Sequence, residues 1–152
     1  MCITVETFTN QLYNIEAKLF CNGGVTYIMD NKAIIKKWIS AFGKNVDGKI
    51  IKKHVTAYGD FLWHLFTWGE APCLEGDDAR RAFDDLQYTE AIIFYGGYSN
   101  SIEGVSYVGK FSADEIDRNE NSDVYIVAKD FSWTYVRTHE KETCGPYFCI
   151  NK

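Results

Sequence analysis

The chain has 152 residues, 46% hydrophobic and 24% charged, enough for one domain with its own core and no need of a metal or disulfide staple. Its net charge of −5 and pI of about 5.2 argue against broad binding to nucleic acid or anionic membrane, where basic surface supplies most of the affinity. Five cysteines without CxxC pairs fit reduced thiols in the cytoplasm; Met1 to Glu6 does not open a secretory signal, and no run of about 18 apolar residues spans a membrane.

Phe8, Leu12, Ile15 and Leu19 repeat at helical spacing, so the first element is a helix from about Phe8 to Phe20, stopped by Asn22-Gly23-Gly24. Val25 to Met29 reads as a short strand. Asp30 or Asn31 then caps a helix whose stripe is Ile34, Ile35, Trp38, Ile39 and Phe42, with Gly43 just past its end. Asn45 to Tyr58 is basic and weakly patterned. Phe61 to Trp68 is nearly all apolar, and its brevity and aromatics favour a buried strand over the alternative, a short helix. Asp77 or Asp78 caps a third helix that turns Ala79, Ala82, Phe83 and Leu86 inward.

Ala91 to Tyr95 reads as a strand and Val105 to Val108 as an edge strand. Ser112 with Glu115 forms a capping-box pattern for a single turn through Ile116. Asp123 to Ala128 alternates, Lys129-Asp130 turns the chain, and Ser132 to Thr138 alternates again, the strongest hairpin signal present. Pro146 opens a last strand, Tyr147 to Ile150. The expectation is one α+β domain over residues 1–152: a mostly antiparallel sheet of about five strands with two to three helices on one side, one parallel pairing being open around the third helix. Residues 1–22 form an N-terminal helical extension to a core over 25–148.

Charge is unevenly spread. Seven lysines and one acid, Asp47, lie between Lys32 and Lys53. Between Glu70 and Glu90 seven acids face Arg80 and Arg81, and between Asp114 and Asp123 five face Arg118. These are solvated faces, or a docking surface comprising Glu70, Glu75, Asp77, Asp78, Asp84, Asp85, Asp114, Glu115 and Asp117.

The last hairpin carries the densest polar chemistry. Trp133, Tyr135, Arg137 and His139 share one side of the pleat and Ser132, Thr134, Val136 and Thr138 the other, so Glu140 lies across from His139. The first row is either an anion-binding surface or an amphipathic strand with Arg stacked on rings. His64, inside Phe61-Leu62-Trp63-His64-Leu65-Phe66, is either a neutral core imidazole or a group that meets His139, Glu140 or Cys144. Cys144 and Cys149 miss zinc spacing, so no metal and no cofactor is expected, and no signature supports a Cys–His nucleophile.

Several motifs in order resemble a family of small bacterial proteins of about this length, catalogued as a domain of unknown function. They are Phe61–Phe66, Cys73-Leu74-Glu75-Gly76 leading to Ala82-Phe83, Asp123–Val127, Phe131–Val136, Thr138-His139-Glu140 and Cys144-Gly145-Pro146-Tyr147-Phe148. The resemblance covers roughly Val25 to Phe148. It implies relatedness without a mechanism, and it places His64, Glu75, Trp133, His139, Glu140 and Gly145 in recurrent motifs.

Three functions compete. The first is a non-enzymatic cytosolic immunity protein that neutralises a basic toxin domain, a nuclease for instance, with the acids steering and Trp133, Tyr135 and Arg137 as anchors. The second is a small enzyme using His64, Arg137, His139 and Glu140. The third, a nucleic-acid or phosphoanion binder on the Lys32–Lys53 stretch, is opposed by the overall acidity and ranks last.

Overall fold

A computed structural model describes residues 25–29, 31–55, 61–67, 71–96, 104–118 and 123–152. The helix expected over Phe8–Phe20, its stop at Asn22–Gly24, and Glu70 lie outside the described residues. Seven strands form one sheet: β1 (Val25–Met29), β2 (Leu74–Glu75), β3 (Glu90–Gly96), β4 (Gly104–Val108), β5 (Asp123–Val127), β6 (Trp133–Arg137) and β7 (Tyr147–Ile150). Their spatial order is β1-β4-β3-β5-β6-β7-β2, and every pairing is antiparallel. The fold is thus α+β. The sheet is larger than the five strands expected, no parallel pair occurs in it among the described residues, and β4 lies inside it between β1 and β3.

Among the described residues five helices accompany the sheet: α1 (Asn31–Phe42), α2 (Gly48–His54), α3 (His64–Thr67), α4 (Asp77–Asp85) and α5 (Ala113–Asp117). They cover both faces, not one. Alternation along β5 explains why. Tyr125 and Val127 point into a core with Ile34, Trp38 and Phe42 of α1 and with Leu65 and Phe66 of α3. Val124 and Ile126 point into a second core with Ala79 and Phe83 of α4 and Ile116 of α5. A strand apolar on both pleat faces needs a cover on each.

Ile34, Trp38 and Phe42 fall at four-residue steps, which keeps them on one buried side of α1 while Lys32, Lys36 and Lys37 stay in solvent. Burial of each large ring or branched chain is worth about 1.5–3 kcal/mol. The polar edge of Trp38 is also satisfied: its Nε1 donates to Thr134 Oγ1 at 3.0 Å, and that hydroxyl donates to Ile126 O at 3.0 Å. On the opposite face Phe83 stacks on Tyr135 with centroids 4.2 Å apart. Behind α1, a Cβ on Gly43 would stand 2.9 Å from Ile39 O and 3.0 Å from Leu65 Cδ1, so glycine allows this close approach of α1 to α3.

The apolar run that favours a strand over Phe61 to Trp68 is, in its described part 61–67, a turn and a short helix. Phe61 has φ +60°, the chain turns, and α3 begins at His64. Leu62, Trp63, Leu65 and Phe66 are all buried. A short helix folded onto the core buries consecutive residues without asking its backbone for a strand partner. Gly76 precedes α4, placing Asp77 and Asp78 in its first turn, where carboxylates complement the helix dipole. Ser112 and Glu115 form the expected capping box on α5. No helix among the described residues is long and apolar enough to cross a membrane.

Candidate functional site

The hairpin of β5 and β6 pairs Val124 with Arg137, so Arg137 points into the α4/α5 core, following Trp133 and Tyr135. Arg137 is fully buried and its Nη2 donates to Asp117 O at 3.5 Å. The expected row therefore ends at Arg137. β6 stops there, the backbone turns, and His139 is carried to the opposite face.

What receives His139 is Asp123, the first residue of β5. Asp123 is fully buried and has a donor on each oxygen. His139 N donates to Oδ1 at 2.8 Å, and His139 Nδ1 lies 2.8 Å from the same oxygen. Trp63 Nε1 donates to Oδ2 at 3.0 Å. A carboxylate accepts, so this geometry puts the ring proton on Nδ1 and turns the Nε2 lone pair outward. The His139 side chain is 34% exposed, and Glu140 Oε1 stands 3.8 Å from Nε2. Glu140 thus meets His139 after all, because the strand geometry that would have separated them ends two residues earlier.

His64 comes to the same place. Its ring lies 4.1 Å from the Trp63 ring and 5.6 Å from that of Phe61, centroid to centroid. Those two rings also flank His139, at 6.0 Å and 5.9 Å. His54, at the end of α2, lies 6.1 Å from His64. All three histidines of the chain therefore gather at one end of the sheet. Partial burial, and then the neighbouring His54, lower the His64 pKa, with Glu140 and Asp123 pulling the other way, so this imidazole favours its neutral form. Phe61, whose ring touches both His64 and His139, holds a left-handed backbone angle uncommon for a bulky residue.

The remaining expected site residues are scattered. Trp133 and Tyr135 are buried against α4 and cannot serve as surface anchors, and neither can Arg137. Among the acids, α4 and α5 come together through the Arg80–Asp117 ion pair and the 2.7 Å bond from Ala113 N to Asp84 Oδ1. Most of these carboxylates already have work inside the fold. Asp78 pairs with Arg81, Asp114 with Arg118 at 2.7 Å, and Glu115 closes the capping box, while Asp77 and Asp85 are exposed. Glu75 stands apart at the sheet edge, accepting from Gly145 N at 3.3 Å.

Thiol chemistry at Cys73 and Cys149 is disfavoured. Burial pushes Cys73 up to about 12 and Cys149 up to about 11, so both stay protonated near neutrality. Among the described residues no group of three or more His, Cys, Asp or Glu converges as metal ligands. Sequence reasoning missed Asp123, Trp63 and His54. The available signal was a carboxylate opening an otherwise apolar strand, Asp123-Val124-Tyr125-Ile126-Val127, because a buried carboxylate requires partners.

A family model described as a domain of unknown function (DUF4275) matches residues 25–148. No curated protein and no solved structure matches the chain.

Proposed function

The chain belongs to the DUF4275 family, whose description assigns no activity, and from that premise we propose that it is a small acid–base enzyme centred on His139. The single observation carrying this reading is the Asp123 carboxylate, wholly buried and spent on holding the His139 ring and backbone in place. In the step this supports, Nε2 accepts the proton of a water or a substrate hydroxyl as that oxygen attacks an ester-type bond. The same proton then passes from Nε2 to the leaving oxygen. Asp123 is a positioning residue, Glu140 offsets the positive charge on the imidazolium, and neutral His64 offers a hydrogen bond beside it.

Hydrolysis of p-nitrophenyl acetate and of bis(p-nitrophenyl) phosphate tests it. His139→Gln should lower the rate by about 10²–10⁴-fold. Asp123→Asn, by favouring the other tautomer, should lower kcat and move the pH–rate profile. Wild-type protein that accelerates neither substrate, or activity that survives His139→Gln, removes the reading.

A second reading is favoured by the convergence of the two acidic stretches on α4 and α5. In it the protein is a cytosolic immunity protein whose acidic face docks a basic toxin domain. It ranks lower here because its proposed anchors Trp133, Tyr135 and Arg137 are interior. Co-purification with, and protection against, a toxin encoded beside its gene supports it; absence of protection overturns it.

A further inference from the structure

We infer that α1 and α2 form a binding face for single-stranded nucleic acid, continuous with the imidazole site. This deepens the acid–base reading by naming its substrate class as a phosphodiester strand.

The overall charge of −5 hides a segregation. α1 and α2 pack on one face of the sheet, α4 and α5 on the other. Lys32, Lys36, Lys37, Lys49, Lys52 and Lys53 are all exposed. Among the described residues none of them pairs with a carboxylate, whereas the α4/α5 acids are largely matched by Arg80, Arg81 and Arg118. The one acid within the lysine run, Asp47, is occupied as the cap of α2, where it accepts from Lys49 N at 2.7 Å. Lys44 donates to Asn151 Oδ1 and Lys152 O. A shallow depression beside Lys36 and Lys37 is also lined by Asp130, whose carboxylate accepts from Ser132 N at 3.0 Å. The cations thus remain available while most of the anions do not, and the net charge is a poor guide to this face.

Nucleic acid fits it better than an acidic protein does. Stable protein interfaces deplete lysine at their centre and rely on apolar or aromatic anchors. Among the described residues the exposed large hydrophobic ones are Leu74, Val108 and Ile150, none of them on α1 or α2. A phosphate backbone asks only for cations. Where α2 ends, Lys52-Lys53 leads directly to His54, and from there to the partly exposed rings of His64, Phe61 and His139. Planar groups at the end of a cationic track suit unpaired bases, which stack on them.

Fluorescence anisotropy with a labelled single-stranded oligonucleotide of about 15 nucleotides tests the inference on the full chain. For about five phosphate contacts, affinity should fall roughly a hundredfold between about 50 and about 200 mM salt. Lys49→Glu/Lys52→Glu/Lys53→Glu should weaken binding at least about tenfold, and so should the independent set Lys32→Glu/Lys36→Glu/Lys37→Glu. Absence of binding at about 50 mM salt, insensitivity to salt, or indifference to both charge-reversed sets overturns the inference. Oligonucleotide bound but uncut while the chromogenic esters are cut overturns the substrate assignment made here and leaves the acid–base reading standing; oligonucleotide bound with neither chromogenic ester cut removes the acid–base reading and leaves the binding face; and chromogenic ester cut without oligonucleotide binding overturns this inference alone.

Discussion

Asp123 and His64 do different electrostatic work within one small volume. Asp123 is a buried carboxylate made tolerable by donors on both oxygens. His64 is an imidazole whose pKa is depressed from its ordinary 6.5, first by burial and then by His54. The sign of its contribution to stability follows. Well above pH 6.5 the ring is neutral in folded and unfolded chains alike and contributes no pH dependence. As pH falls through 6.5 the unfolded chain takes up the proton first, so stability is lost until the pH passes the lower folded value. Between about pH 7 and about pH 5, wild type should therefore lose more thermal stability than His64→Gln. Parallel melting curves across that range for the two proteins contradict this account of His64.

The elements differ in how plainly the sequence announces them, for local physical reasons. α1 is legible because Ile34, Trp38 and Phe42 recur at one spacing against a lysine-bearing outer side. The β5–β6 hairpin is legible because alternation survives on both arms, and α5 because its capping box lies within four consecutive residues. α3 is not, since an unbroken apolar run carries neither a period of two nor one of 3.6. The same limit hides the second covered face: both sides of β5 are apolar, which is compatible with any arrangement that buries both. The candidate site was half visible. His64, His139 and Glu140 stand in recognisable motifs, but their meeting depends on β6 ending at Arg137 and on Asp123, 16 residues upstream of His139, drawing the ring across. Extrapolating the strand's alternation one step too far placed Arg137 beside His139 and Glu140 away from it. A hydrogen bond between residues distant in sequence redirects the chain there, and no local pattern encodes it.

At the scale of the whole molecule the sheet separates two electrostatic surfaces, and composition alone reports only their sum. The α4/α5 side joins acids and arginines into ion pairs, of which Arg80–Asp117 bridges the two helices. On the α1/α2 side, among the described residues, Lys32, Lys36, Lys37, Lys49, Lys52 and Lys53 are exposed and pair with no carboxylate, and α2 ends at His54 beside His64. Function, as proposed above, resides on this second side. The measurement that tests it most directly is amide chemical-shift mapping of the full chain while the single-stranded oligonucleotide is titrated in. Shifts along α1 and α2 and at Phe61, His64, His139 and Glu140, with α4 and α5 silent, are the predicted result. Shifts confined to α4 and α5, or none at all at low salt, contradict it.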